Sequence, residues 1–268
     1  MNYQYFISAW IYKVLKEADA EYATFLHEQG YGKDENHLYK LFCFGRLNFG
    51  KPKLWKEKNL FQIFNDEIYL KIAFEINETA TNFIKGIFKD QEFYLGDKFN
   101  GIDFNVSSVE VLPEPDFSTM EKSVVDYFGG NASVSENHSE ATNFISTVKY
   151  INVTPWVVSY KEETDKYAKY LRPDNPMFVQ CAIKHLTEKY NNLHDSQVSA
   201  SEISIDVSPE YKRSGFLIKP GCNDETRIVG VICDFTLTAP VEIHKMIWNA
   251  GLCEKSSLGF GWVEVEKE

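Results

Sequence analysis

The sequence predicts an α+β protein built from two successive ferredoxin-like units, the first without its opening strand. Three observations predict it. The chain has 268 residues, which suits two domains of roughly 100–130 residues each. Apolar residues recur with a helical period in some segments and alternate as in strands in others. Within each half the order is close to strand, helix, strand, strand, helix, strand, the pattern of a sheet with two helices on one face.

The elements follow in order. Ile7, Trp10, Ile11, Val14 and Leu15 recur at i, i+3, i+4, i+7 and i+8, predicting an amphipathic helix from Asn2 to Ala18. Asp19 is placed to cap a second, short helix that stops at Gly30. Leu38–Leu47 and Ile68–Glu75 read as strands, with a lysine-rich loop or hairpin arm, Gly50–Lys58, between them. Asn77 opens a helix, and Phe93–Leu95 and Phe104–Leu112 read as strands. Pro113, Pro115 and the turn-forming stretch Phe128–Ser139 predict a linker. The division expected is therefore 1–120, a linker or insertion over 121–145, and 146–268. In the second half Thr147–Ile151, Trp156–Tyr160, Ser201–Val207, Phe216–Lys219 and Arg227–Thr238 read as strands. Helices are expected over Pro176–Tyr190 and from Pro240 to Ala250, with a closing strand at Gly261–Glu266.

The absent first strand has a structural consequence. In a ferredoxin-like sheet that strand is interior, and its loss separates two neighbours. Either the first sheet is split, with Phe104–Val111 detached from Ile68–Glu75, or the natural reading frame starts roughly 15–20 residues upstream.

Composition narrows the function. Lys and Arg number 28 against 39 Asp and Glu, for a formal charge of −11. That balance argues against a nonspecific nucleic-acid coat, which needs a basic excess. Any polyanion must meet a local basic surface. The hydrophobic share of 44% excludes disorder as the main state. No apolar run approaches the ~18 residues of a membrane span. The N-terminus shows no basic n-region or cleavage site, and five scattered cysteines fit reduced thiols, so a cytoplasmic location is expected.

Motifs for several chemistries are missing. The six histidines and five cysteines show no metal-ligand spacing, and there is neither a phosphate-binding loop nor a nucleophile elbow. No metal or cofactor is expected. Two features remain. Tyr12, His27 and Lys40 fall on the first helix, the end of the second and the start of the next strand, so a helical hairpin can gather them at one end of the sheet. Together they could move protons and offset negative charge. Spacing alone favours a core tyrosine, a surface histidine and a solvated lysine. The second feature is Gly251-Leu-Cys-Glu-Lys-Ser-Ser-Leu-Gly-Phe-Gly261, whose glycines can expose backbone N–H groups to a ligand. It also reads as an ordinary helix-to-strand connection.

That tail, continued through Trp262-Val-Glu-Val265, resembles the glycine-rich loop of the CRISPR-associated endoribonucleases that cut precursor guide RNA within its repeats. Asn2-Tyr-Gln-Tyr5, Trp10-Ile-Tyr12, Phe25-Leu-His-Glu28 and Tyr39-Lys-Leu-Phe42 agree in order. The resemblance covers both halves and implies tandem ferredoxin-like (RRM-like) domains. It implies metal-independent catalysis by Tyr12, His27 and Lys40, through attack of a ribose 2′-OH on the adjacent phosphorus. The ends would be a 2′,3′-cyclic phosphate and a 5′-OH; which of His27 and Tyr12 is the base stays open. Because the net charge is acidic for an RNA binder, the candidate RNA contacts are few: Lys51, Lys53, Lys56 and Lys58, then Lys212, Arg213 and Lys219, each of which could equally be a solvated face, with Lys255, Ser256, Gly259 and Gly261 of the loop. Cys253 departs from the family pattern, where a glycine is usual. The implied partner is CRISPR repeat RNA. Membership of an effector complex, a homodimer, and a non-catalytic repeat-binding role are left open.

Overall fold

The computed structural model describes residues 3–35, 37–58, 60–96, 100–118, 145–162, 164, 167–219 and 221–266. Helix α1 (Tyr3–Ala18) buries Ile7, Ile11, Val14 and Leu15 along one stripe, as its apolar spacing requires. Asp19 then accepts the Tyr22 N–H at 2.9 Å and caps α2 (Ala20–Glu28). The first half continues with β1 (Phe42–Phe44), β2 (Lys53–Trp55), β3 (Leu60–Gln62), β4 (Ile72–Phe74), α3 (Asn77–Lys89), β5 (Glu92–Gly96) and β6 (Gly101–Asn105).

These strands form three separate antiparallel pairs: β1 with β4, β2 with β3 and β5 with β6. Phe42 lies opposite Phe74. Among the described residues β4 pairs with β1 and β6 with β5, so the first sheet is split as one of the two expectations had it. Three expected strands are shorter than their sequences suggest, Ile68–Glu75 reducing to Ile72–Phe74. Leu41 takes φ 54°, a conformation that breaks a ladder, so Leu38–Leu47 reduces to Phe42–Phe44. The strand expected over Phe104–Leu112 stops at Asn105. Beyond Val106, whose N–H reaches the Gln91 carbonyl at 2.8 Å, Val109, Val111 and Leu112 are exposed.

The second half holds β7 (Ile145–Asn152), β8 (Ser159–Tyr160), β9 (Lys169–Tyr170), α4 (Met177–Leu193), β10 (Ser204–Val207), β11 (Lys212–Ile218), β12 (Thr226–Ile232), β13 (Phe235–Pro240), α5 (Val241–Ala250) and β14 (Val263–Val265). Its main sheet runs β10-β13-β7-β14, antiparallel throughout. That is the ferredoxin order, with the first and third strands central. The hairpin β11–β12 is inserted between the second and third. The single strand expected at Arg227–Thr238 is therefore two. It breaks at Cys233-Asp234, where the Asp234 carbonyl accepts the Ser208 N–H at 2.9 Å. The strand expected at Trp156–Tyr160 shrinks to Ser159–Tyr160, because Trp156 is tied to Val231 by an isolated bridge instead.

Each half has its own buried cluster. Ile7, Ile11, Leu15, Leu26, Phe42, Phe44 and Phe83 form the first, and Tyr150, Trp156, Phe178, Leu186, Phe235, Leu237 and Ile247 belong to the second. The halves meet where β1 and β4 lie against α5 and the turn Ser256–Leu258. The linker expected over 121–145 lies outside the described residues except for Ile145, which opens β7. Among the described residues no helix is long and apolar enough to cross a membrane.

Candidate active site

Three side chains far apart in sequence line one cleft. Tyr12 comes from the third turn of α1, His27 from the last turn of α2, and Lys40 from the segment entering β1. Gly30 makes the return possible. Its φ is +85°, and a Cβ there would sit 2.6 Å from the Tyr39 carbonyl oxygen. The chain therefore doubles back through the Tyr31–Tyr39 bridge and brings Lys40 to the end of α2. The Lys40 Nζ donates to the carbonyls of His27, at 2.7 Å, and Gln29, at 3.1 Å. These are open acceptors at a helix C-terminus, where a cation is favoured. The Tyr12 ring stands edge-on to the His27 ring, centroids 5.0 Å apart, and to Phe42 at 5.6 Å.

The opposite wall is the segment after α5. Its two ends are clasped by the Leu252 N–H on the Gly261 carbonyl, at 2.9 Å, and the Gly261 N–H on the Pro155 carbonyl, at 2.9 Å. Ser257 lines the cleft beside Tyr12, and Ser8 Oγ donates to the Ser257 carbonyl at 2.8 Å. Gly259 has φ +85°, and a Cβ on it would strike the Phe44 ring at 2.6 Å. The loop is thereby pressed onto α1 and β1, and it encloses a cleft of about 300 Å³. Cys253 is 2% exposed; its sulfur fills the space where a Cβ on Gly261 would lie, 2.8 Å away.

The electrostatics differ from residue to residue. Burial raises the Tyr12 phenol well above its ordinary value, partly offset by the neighbouring Ser257 side chain. Burial also lowers the Lys40 ammonium. Lys189 forms the floor of the cleft. It is 2% exposed, and desolvation brings it down to about 8 against the pull of Cys43, Cys253 and Glu75. Its ammonium donates to the carbonyls of Ala250 and Gly251, both at 3.0 Å, and so ties α4 to the start of the loop. Tyr39 on the rim is pushed up to about 12, chiefly by burial.

Of the loop residues singled out in the sequence, Lys255 is exposed on the cleft rim and Ser256 is buried, its hydroxyl donating to the Cys253 carbonyl at 2.7 Å. Gly259 and Gly261 are buried in the loop's fold. Lys51, Lys53 and Lys56 are exposed on and beside the β2–β3 hairpin, and Lys212 and Arg213 on β11. Lys219 pairs with Asp224 at 3.2 Å. None of these six lines the cleft. Sequence reasoning missed Ser257, Tyr39 and Lys189. Ser257 adjoins a residue it did name, and a lysine on an amphipathic helix carries no signal that it points inward. The other described histidines are differently placed. His244 is buried, with Nδ1 near the Tyr150 hydroxyl at 2.9 Å, and His37 pairs with Asp34 at 2.6 Å.

Comparisons with known proteins cover nearly the whole chain. A model described as CRISPR-associated protein Cas6, N-terminal, matches residues 1–110, and one for Cas6, C-terminal, matches residues 136–265. A relative from Methanocaldococcus jannaschii, CRISPR-associated endoribonuclease Cas6 1, is 24% identical over 265 residues, covering 98% of this chain and 85% of its own. A Cas6-related protein from Pyrococcus furiosus has a similar solved structure, with TM-score 0.74, 21% identity, and coverage of 100% of this chain and 92% of that one. A RAMP protein that binds different RNA substrates has TM-score 0.74 and 18% identity over 99% and 92% of the two chains. These similarities bear out the tandem ferredoxin-like fold.

Proposed function

The chain belongs to the Cas6 family of CRISPR-associated proteins, and on that premise we propose that it cuts CRISPR repeat RNA in precursor transcripts at the cleft of Tyr12, His27 and Lys40. The observation that carries this reading is the convergence of those three side chains beneath the glycine-rich loop. Similarity to a protein that binds different RNA substrates supports RNA as the ligand class.

The reaction needs no water and no metal. The 2′-oxygen of one ribose loses its proton and bonds to the adjacent phosphorus. The bond from phosphorus to the 5′-oxygen of the next nucleotide breaks, and that oxygen takes a proton. The products are a 2′,3′-cyclic phosphate and a 5′-hydroxyl. His27 is the exposed imidazole on the cleft and serves as the proton-transfer group. Tyr12, kept as a neutral phenol by burial, donates a hydrogen bond that orients the reacting oxygen or phosphate. Lys40 uses its two carbonyl partners to hold the end of α2. An ammonium has three N–H donors, which leaves one for the charge that builds on phosphorus.

The test is incubation of purified protein with its host's repeat RNA, labelled at the 5′ end. A single cut by the wild type, with retained binding but little cutting by His27→Ala, supports the reading. Equal cutting by His27→Ala removes that residue from the chemistry.

A further inference from the structure

The β2–β3 hairpin lies apart from the cleft, and its composition is unusual for this chain. Lys51, Lys53, Lys56 and Lys58 fall within residues 50–62 and only Glu57 opposes them, on a protein of net charge −11. Trp55 is 44% exposed and Leu54 47%. The other tryptophans are covered to a greater degree. Lys53 and Trp55 are two apart on one strand and so share a face. The Lys53 ammonium lies over the Trp55 ring, 4.9 Å from its centroid. Across the hairpin Gln62 is opposite Lys53, and its Oε1 accepts the Trp55 Nε1–H at 3.2 Å. The indole is thus held in one orientation while much of it meets solvent.

The hairpin also connects with the cleft. The glycine-rich loop follows α1 from Tyr12, through Ser257, past Ser8 and towards Gln4, where Gly259 comes close. At that end of α1, Tyr3 meets Phe49 edge-on at 6.2 Å, and Phe49 meets Phe61 of β3 at 5.4 Å. Tyr3 and Tyr12 are nine residues apart, about 13 Å along the helix. A strand leaving the cleft along the loop would run towards the hairpin.

We propose that this hairpin is a second RNA site, in which Trp55 stacks on an unpaired base of the repeat while Lys51, Lys53 and Lys56 meet the phosphates beside it. Stacking platforms flanked by cations bind single strands in this way, because every base has a π-face and every linkage a charge. The proposal rests on the reading of the cleft as an RNA-cutting site, but its test separates the two.

Affinity for the host's repeat RNA is measured in a His27→Ala background, with Trp55→Ala, Trp55→Phe and the pair Lys53→Gln, Lys56→Gln added in turn. Tryptophan fluorescence is followed in the same titrations. Trp55→Ala is expected to weaken binding roughly 5- to 150-fold, and Trp55→Phe to keep most of the affinity. The lysine pair is expected to flatten the dependence of affinity on salt, whereas Trp55→Ala leaves that slope in place. Fluorescence quenching by RNA should fall in Trp55→Phe. Unchanged affinity and quenching in both Trp55 variants overturns the hairpin site while wild-type cutting leaves the cleft reading standing. Failure of the wild type to bind or cut the repeat overturns both.

Discussion

Tyr12 and His27 face each other at ring-contact distance, yet their surroundings differ, and the proposed mechanism gives them different roles. Burial raises the phenol, so Tyr12 stays protonated across the range in which enzymes of this kind are assayed. His27 is open to solvent at the cleft. His27→Ala is expected to lose about 10²–10⁴-fold in cleavage, the usual contribution of a general acid or base. Tyr12→Phe is expected to lose less than His27→Ala, and to leave the shape of the pH–rate profile unchanged, because a phenol titrating above the assay range contributes no limb to it. Single-turnover rates of both variants across pH check this. A profile whose limb disappears in Tyr12→Phe would reverse the two roles.

At the scale of elements, the glycine-rich loop is held by conformation and by Lys189 below it. Gly259→Ala meets both a left-handed φ and the Phe44 ring. It is expected to destabilise the fold by about 1–3 kcal/mol, read as a lower denaturation midpoint, and to depress cleavage by shifting Ser257 from Tyr12. Lys189 offers a test by pH. Its folded value of about 8 lies below the ordinary 10.5. Below pH 8 both states hold the proton, and the native state bears the cost of a buried charge. Between 8 and 10.5 the unfolded chain binds more protons, so this group's contribution to stability rises with pH. The burial-raised thiol of Cys43 acts in the opposite sense above its ordinary range, so the informative quantity is a difference between two proteins. Wild type is expected to gain on Lys189→Met from pH 8 to 10.5 in urea unfolding. A constant difference would mean that Lys189 keeps its proton in the native state across that range, its value not lowered by burial.

The legibility of the sequence follows from the same elements. Helix α1 was readable because its apolar stripe is long and regular, and Asp19 because a cap is a local device. The separation of β6 from β4 was readable from the element order, which placed no opening strand between them in the sheet. The short β1 was not, because the left-handed Leu41 is set by the packing around it and not by residue type. Nor was the break at Cys233-Asp234, where apolar residues continue on both sides and only the hairpin β11–β12 draws one segment away. For the site, spacing left Tyr12, His27 and Lys40 indistinguishable from ordinary core and surface residues. The resemblance singled them out, and the structure places them on one cleft. The inward turn of Lys189 depends on α5 ending above it, a long-range fact.

For the whole molecule, a body of net charge −11 has to meet a polyanion on limited basic ground. Affinity for repeat RNA is expected to fall steeply with salt. Neutralising Lys51, Lys53, Lys56 and Lys58 together should reduce the log–log slope by about 0.7 for each lysine that meets a phosphate. An unchanged slope would move the track to Lys212, Arg213 and Lys219. The central claim is that the three side chains of the cleft cut the repeat by internal attack of its own 2′-hydroxyl. The direct measurement is incubation of the purified protein with repeat RNA in excess EDTA, followed by analysis of the new ends. The expected result is one cut at an undiminished rate, leaving a 2′,3′-cyclic phosphate and a 5′-hydroxyl. Loss of cutting in EDTA with recovery on adding Mg²⁺, or a 5′-phosphate at the new end, would contradict it.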